Sequence, residues 1–435
     1  MQKNKLSTDR IIAMICISVG TVALMVTAVM TGLLLRDKDI PSHAVINSGH
    51  VDGLFPVISV SGGNTFAIAQ NGDLYSWGNN EFGPLGLGNS GSGTEKNTPQ
   101  HVNNGNRKYK AIASGNHTLA LAVNGDLYSW GYNVSGQLGL GFTGSSSDAN
   151  PTPLYVGDGG RKYKAIAANG SANHILALAE NGDLYAWGAN NLGQLGLGYT
   201  SNYGENPETP QYVSAGGRKY KAIAVGSSSS FAIAENGDLY SWGYNGLGYG
   251  LGLGEYTNIS YDTPQYVSDG SRKYKAIASY GYSLAIAENG DVYTWGYGAC
   301  GYEPGYMEEF NYCTPKLVGD GSRQYKAIAA GSDYSFAIAE NGDLYAWGHV
   351  GYGDGRLGIG YWDSYIQGGY VCETPTHVSD GGRKYSSIAA SYSHSFAVAE
   401  NGDLYTWGSS PLSYEYIPGA SWPLDTPALV PGFVI

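Results

Sequence analysis

From Phe55 onward the apolar positions come in short runs, and each run is cut by a Gly-rich or Asn-Gly break. Residues 374–408 show one full cycle. It reads Thr-Pro-Thr-His-Val, a Ser-Asp-Gly-Gly-Arg-Lys-Tyr break, Ser-Ser-Ile-Ala-Ala, a Ser/Tyr/His stretch, Ser-Phe-Ala-Val-Ala-Glu, Asn-Gly, and Asp-Leu-Tyr-Thr-Trp-Gly. Runs this short, bounded by turn residues, predict β-strands. Asn-Gly predicts a two-residue type I′ hairpin loop, which needs positive φ at both positions. Each cycle therefore predicts a tight hairpin with two further strands before it.

The expected register follows from that turn. With Asn71-Gly72 as the loop, Ala69 faces Leu74, Ile68 faces Tyr75, Ala67 faces Ser76 and Phe66 faces Trp77. Alternation across a strand then puts Phe66, Ile68, Tyr75 and Trp77 on one face and Ala67, Ala69, Leu74 and Ser76 on the other. Such a sheet, bulky on one side and small on the other, packs against copies of itself.

There are seven copies. Asn-Gly-Asp-(Leu/Val)-Tyr-x-Trp-Gly begins at Asn71, Asn124, Asn181, Asn236, Asn289, Asn341 and Asn401. A period near fifty marks one supersecondary unit repeated, and radial stacking of such sheets is a β-propeller, which also hides strand edges. Each Trp-Gly is followed, after a loop, by Thr-Pro, at Thr98, Thr152, Thr209, Thr263, Thr314, Thr374 and Thr426. No Thr-Pro strand precedes Pro56-Val57-Ile58, and no hairpin follows Thr426 to Val430. The expectation is an all-β, seven-bladed propeller of four-stranded blades, closed by the C-terminal strand joining the first blade.

The Asn-Gly-Asp-Leu-Tyr-x-Trp-Gly core, with Gly-Gln-Leu-Gly-Leu-Gly after it at Gly136 to Gly141 and Gly193 to Gly198, resembles the regulator of chromosome condensation repeat family. The resemblance covers essentially all of residues 55–435 and implies a seven-bladed propeller. For function it implies little, because propellers of this family serve as exchange factors, ligase-associated modules, light sensors and inhibitors. Repeat five departs from the pattern at Gly298 to Pro304 and repeat seven at Ser409 to Tyr414. Neither departure lets an exchange-factor wedge be carried over residue by residue.

The pattern before Phe55 is different. Ile11 to Leu35 is 25 residues without a charge, enough to span a bilayer. Lys3, Lys5 and Arg10 precede it, while the charges of Arg36, Asp37, Lys38 and Asp39 cancel. The positive-inside bias predicts a cytoplasmic tail at 1–10, a signal-anchor helix at 11–35, a stalk at 36–54 and an extracytoplasmic propeller at 55–435. A cleaved signal peptide is the rival reading, with an apolar region that would be shorter and a small-residue cleavage site. The anchor makes the expectation a membrane-tethered, prokaryotic-type family member.

Charge then separates the two ends of the ring. The formal net charge of -12 argues against nucleic acid as a partner. Strand parity puts the Arg-Lys-Tyr and Asn-Gly turns at one end, the short loop before each hairpin and the long loop after Trp-Gly at the other. The tight-turn end takes 16 of the 24 basic residues and 16 of the 36 acids, and is neutral. The long-loop end takes 16 acids against Lys96, Lys316 and Arg356, about -13 net. It also holds 21 of the 37 tyrosines. Tyr on variable loops over a rigid frame is the composition of recognition surfaces. The predicted binding residues are Tyr199, Tyr203, Tyr249, Tyr256, Tyr261, Tyr302, Tyr306, Glu308, Glu309, Tyr361, Trp362 and Tyr365.

Catalytic signatures are missing. The sequence has no Gly-x-Ser-x-Gly, His-Glu-x-x-His or phosphate loop. His117, His174 and His394 share one repeat position and read as scaffold. Cys300 and Cys313 bracket one loop as a candidate disulfide, Cys372 is left over, and no zinc spacing appears. The reading is a protein-recognition module, not an enzyme, without cofactor or metal. Its partner is an unknown protein, with a basic surface complementing the acidic face. Two other readings stand beside it: a binder of carbohydrate or envelope glycan, and a hydrolase using loop carboxylates such as Glu308 and Glu309.

Overall fold

The computed structural model describes residues 57–434 except 62, 146–147, 171, 203, 215, 247–249, 255–256, 297–311, 350–354, 361–370 and 410–422. These build seven four-stranded antiparallel sheets. The blades span 57–101, 109–155, 163–212, 220–266, 274–317, 325–377 and 385–434. In blade 2 the strands are Tyr109–Ser114, His117–Ala122, Leu127–Tyr132 and Ala149–Tyr155, hydrogen-bonded in chain order. The first strands of consecutive blades stand against one another around the whole ring, the seventh against the first included. The predicted all-β, seven-bladed, four-stranded architecture is what forms.

Three expectations need correction. The hairpin loop has three residues, not two. Ala122 N–H donates to the Asp126 carbonyl at 2.8 Å, enclosing Val123-Asn124-Gly125, and only Gly125 of these has positive φ (+83°). This is a type I turn closed by a glycine bulge. The Asn side chain braces the turn from within. Asn124 Oδ1 accepts from Asp126 N–H at 3.1 Å, and its Nδ2 donates to the Asp126 carboxylate at 2.7 Å. One residue more in the loop slips the register by one, so Phe66 faces Ser76 and Ala67 faces Tyr75. A slip of one turns a strand over. Phe66, Ile68 and Leu74 therefore share one face, while Ala67, Tyr75 and Trp77 share the other.

That slip decides how blades pack. The Phe/Leu/Ile face of each blade meets the Ala/Trp face of the next. Leu119, Leu121 and Leu127 of blade 2 lie against Ile175, Ala177 and Trp187 of blade 3, and Leu176, Leu178 and Leu184 of blade 3 against Ala232, Ala234 and Trp242 of blade 4. All seven motif tryptophans are fully buried in these seams.

The Thr-Pro strand closes its own blade instead of opening the next. Tyr75 pairs with His101 and Ser76 with Gln100, so one strand precedes each hairpin and one follows it. The C-terminal strand Leu424–Val434 accordingly pairs with Asp403–Gly408 inside blade 7 and does not join blade 1. Closure comes from side chains: Ile58, Val60, Ala67 and Trp77 of blade 1 pack on Phe396, Val398, Leu404 and Val430 of blade 7. Ile11 to Leu35 lies outside the described residues, and among these no helix is long and apolar enough to cross a membrane.

Candidate functional site: the long-loop face

Each long loop leaves the blade through an anchored turn. In blade 2, Asn133 Oδ1 accepts from Leu138 N–H at 3.0 Å and its Nδ2 donates to the Phe142 carbonyl at 2.7 Å. Ser129 Oγ donates to the Leu138 carbonyl at 2.6 Å. Trp187, from the next blade, donates its indole N–H to the Gln137 carbonyl at 3.0 Å. Gly139 lies so close that a Cβ there would stand 2.8 Å from that indole nitrogen. Asn80, Asn190 and Asn245 repeat the brace in blades 1, 3 and 4. Repeats five to seven carry Gly298, Val350 and Ser410 at this position. The Gly-x-Leu-Gly motif thus exists to seat the neighbouring tryptophan.

The short loops are tied from blade to blade by the residue that follows each. Asn64 Nδ2 donates to the Gly115 carbonyl at 2.8 Å, Tyr282 OH to the Tyr334 carbonyl at 2.5 Å, and Tyr334 OH to the His394 carbonyl at 3.0 Å. His174 Nε2 lies 2.9 Å from Ser230 Oγ. Burial lowers His117 from its ordinary 6.5 to about 4, and His174 and His394 to about 3. These imidazoles are neutral seam residues.

The opposite end explains why charge does not accumulate there. Lys108, Lys162, Lys219, Lys273 and Lys384 each reach back across a seam to the motif Asp of the preceding blade, at 2.5–2.6 Å. The lysine hydrogen bond holds Asp73, Asp126, Asp238 and Asp343 below the usual carboxylate range. Six arginines lie over the motif tyrosines, Arg107 over Tyr128 at 3.8 Å among them. Nearer the axis, Lys221, Lys275 and Lys326 pair forward with Glu288, Glu340 and Glu400. That end is a lattice of matched charges.

On the long-loop face the described acids are Glu81, Glu95, Asp148, Glu205, Glu208, Asp262, Asp333 and Asp425. Glu208, Asp262 and Asp425 stand just before Thr-Pro, where their carbonyls accept from Gly141, Gly198 and Gly360 at 2.8–2.9 Å. They form a rim fixed by backbone. Of the three bases here, Arg356 is taken by Asp333 at 2.5 Å, with His349 Nδ1 3.6 Å from the same carboxylate.

Two of the twelve predicted binding residues fall among the described residues, and the structure separates them. Tyr199 is 47% exposed. Tyr261 is half-buried and packs against the cores of two blades, so its ring serves the scaffold first. Tyr203, Tyr249, Tyr256, Tyr302, Tyr306, Glu308, Glu309, Tyr361, Trp362 and Tyr365 lie outside the described residues. So does Cys300; Cys313 is half-buried on an outer strand, and Cys372 is a buried thiol. Two tyrosines of this end, Tyr282 and Tyr334, prove to be buried seam residues. The sequence reading did not single out Tyr392, 70% exposed in a short loop. The signal was there: apart from Tyr280 in repeat five, the other repeats carry no aromatic residue in that loop.

Residues 31–361 match the RCC1-like domain, and residues 385–411 the regulator of chromosome condensation (RCC1) repeat. The chain belongs to the RCC1-like domain family. Among RCC1-like proteins, it is 30% identical to the ultraviolet-B receptor UVR8 of Arabidopsis thaliana over 360 residues, covering 81% of this chain and 76% of the receptor. It is 29% identical to the human E3 ubiquitin-protein ligase HERC2 over 80% of this chain but only 7% of the ligase. Yeast RCC1 (Prp20), solved bound to Kap60, has a TM-score of 0.68 at 26% identity, covering 82% of this chain and 83% of that one. An RCC1-like ring is what the seams and loop anchors described above build.

Proposed function

We propose that this RCC1-like propeller is a protein-recognition module that takes a basic partner surface on its acidic long-loop face. The carrying observation is the segregation of charge. At the tight-turn end Asp73, Asp126, Asp183 and Asp238 each pair with a lysine of the next blade, and Asp158 pairs with Arg161 in its own loop. The long-loop end has 16 acids and three bases in the sequence, and Arg356 is already spent on Asp333. A single-sign surface of this kind steers oppositely charged partners and sets their orientation. Yeast RCC1 is solved with Kap60 bound to it, which supports protein recognition as the reading for a similar chain. Binding, without catalysis, is the function proposed.

The uncharged segment Ile11 to Leu35 supports a membrane tether with the ring on the extracytoplasmic side. Capture of partners by the full chain in detergent, at low and high salt, tests the recognition reading. Retention should fall with salt, and alanine at Tyr302, Tyr306, Trp362 and Tyr365 together should abolish it without lowering the melting temperature. Capture that survives those four substitutions would place the interface elsewhere, and retention of a glycan instead of a protein would replace the reading.

A further inference from the structure

The loops joining first and second strands surround the axis at the long-loop end, because the first strands line that axis. In blades 1 to 4 they hold small residues such as Gly63, Gly115-Asn116 and Gly226-Ser227-Ser228. Blades 5 and 7 place Tyr280 and Tyr392 there. Tyr392, at 70%, is the most exposed large side chain with apolar surface among the described residues. The fold asks for no ring at Tyr392, since the same loop closes in other blades with small residues; Tyr280 is half-buried, with its ring against the blade 5 seam.

The two tyrosines stand on fixed bases. Ser227 of blade 4 donates to the Tyr280 carbonyl from its backbone N–H at 3.3 Å and its hydroxyl at 3.4 Å. Ser332 of blade 6 donates to the Tyr392 carbonyl at 2.9 Å and to the Ser391 carbonyl at 3.2 Å. Tyr282, which closes the blade 5 loop, donates its hydroxyl to the Tyr334 carbonyl of blade 6 at 2.5 Å. The short loops of blades 4 to 7 are thus one stitched arc, with an aromatic ring near each end. Between the rings, the Asp333 carboxylate is held by Arg356 at 2.5 Å and shares the single Ser332 hydroxyl proton with the Tyr392 carbonyl.

We propose that this arc is the anchor point of the recognition face, and that it takes a lysine or arginine side chain from an extended basic segment of a protein partner. The inference rests on the recognition reading above and says where its central contact lies. Tyrosine faces attract cations, and this chain uses the same contact internally, with arginine over tyrosine in six blades. Rings held by a rigid backbone lose little freedom on binding, and central aromatic residues are where interfaces concentrate affinity. The acids of the outer rim draw the segment in.

Anisotropy titration of the full chain with a labelled lysine-rich peptide, an arginine-rich one, the acetylated lysine peptide and an acidic control tests this. The basic peptides should bind and the acetylated and acidic ones should not. Tyr392→Ala should weaken binding about 10-fold, Tyr280→Ala should act in the same direction, and Tyr392→Phe should retain binding. Tyr155→Ala, exposed at the opposite end, should change nothing. Melting of Tyr392→Ala should match the parent, so lost binding is not lost folding. If the Tyr280/Tyr392 double variant binds like the parent while Glu205→Gln with Glu208→Gln weakens binding, the anchor is refuted and the recognition reading stands. If the parent does not prefer basic to acidic peptides, both fall.

Discussion

The indole N–H of Trp187 donates to the Gln137 carbonyl at 3.0 Å, joining the core of blade 3 to the loop of blade 2. Through this contact the repeat motif, buried in a seam, holds the first turn of a loop on the functional face. Trp187→Phe leaves a buried carbonyl without a donor and should cost about 1–3 kcal/mol. Urea unfolding measures the loss, and faster proteolysis near Phe142 would show that the loop is released.

Gly139 is the partner of the same contact. It combines a φ of +71° with a Cβ position 2.8 Å from the Trp187 nitrogen. Gly139→Ala should destabilise by about 1–3 kcal/mol through overpacking and backbone strain. The same change at Gly91, which has no neighbour within 4 Å of its Cβ position, carries the strain without the clash and should cost less.

The buried histidines make the ring acid-sensitive before its carboxylates do. His117, His174 and His394 titrate at about 4, 3 and 3 when folded, against an ordinary 6.5. In that window the unfolded chain binds more protons, so stability falls as pH drops below 6.5, with a limiting slope of about 1.4 kcal/mol per pH unit for each histidine. The motif carboxylates, held below their usual range, add to the loss only at lower pH. Melting temperatures between pH 7 and about 4.5 should decline, and less steeply in His117→Asn. A flat profile would contradict the burial.

Asp158 is almost buried and accepts from Arg161 at 2.9 Å and from the Tyr163 hydroxyl. Burial and the neighbouring carboxylate push Tyr163 up, so the phenol stays protonated as donor. Tyr163→Phe removes that donor and should cost about 1–3 kcal/mol. Tyr128→Phe, whose ring keeps its place under Arg107, should be nearly neutral. Chemical denaturation of both variants distinguishes hydrogen bonding from loss of ring surface.

Closure by side chains makes the seventh seam an ordinary one. Ile58→Ala at the closing seam and Ile112→Ala at the next, both in fully buried positions, should each cost about 2–5 kcal/mol. A much smaller cost for Ile58→Ala would mean that the ring is not sealed there.

The sequence by itself determined the number of blades, the four strands in each and the sorting of charge between the two ends. Those follow from periodicity, turn residues and strand parity, all of them local. It also marked His117, His174 and His394 as scaffold, because their position recurs. The hairpin register was not legible: a three-residue loop with one left-handed glycine and a two-residue I′ loop share the letters Asn-Gly, and only strand pairing tells them apart. The partner of the Thr-Pro strand was not legible either, since a strand separated from two neighbours by loops can pair with either until packing chooses. Tertiary structure also divided the tyrosines. Tyr282 and Tyr334 sit at one seam position, where the ring is buried and the hydroxyl reaches the next blade, while Tyr392, two residues before that position, points to solvent. Which side of a seam a ring falls on depends on the neighbouring blade, and no stretch of one repeat contains that blade.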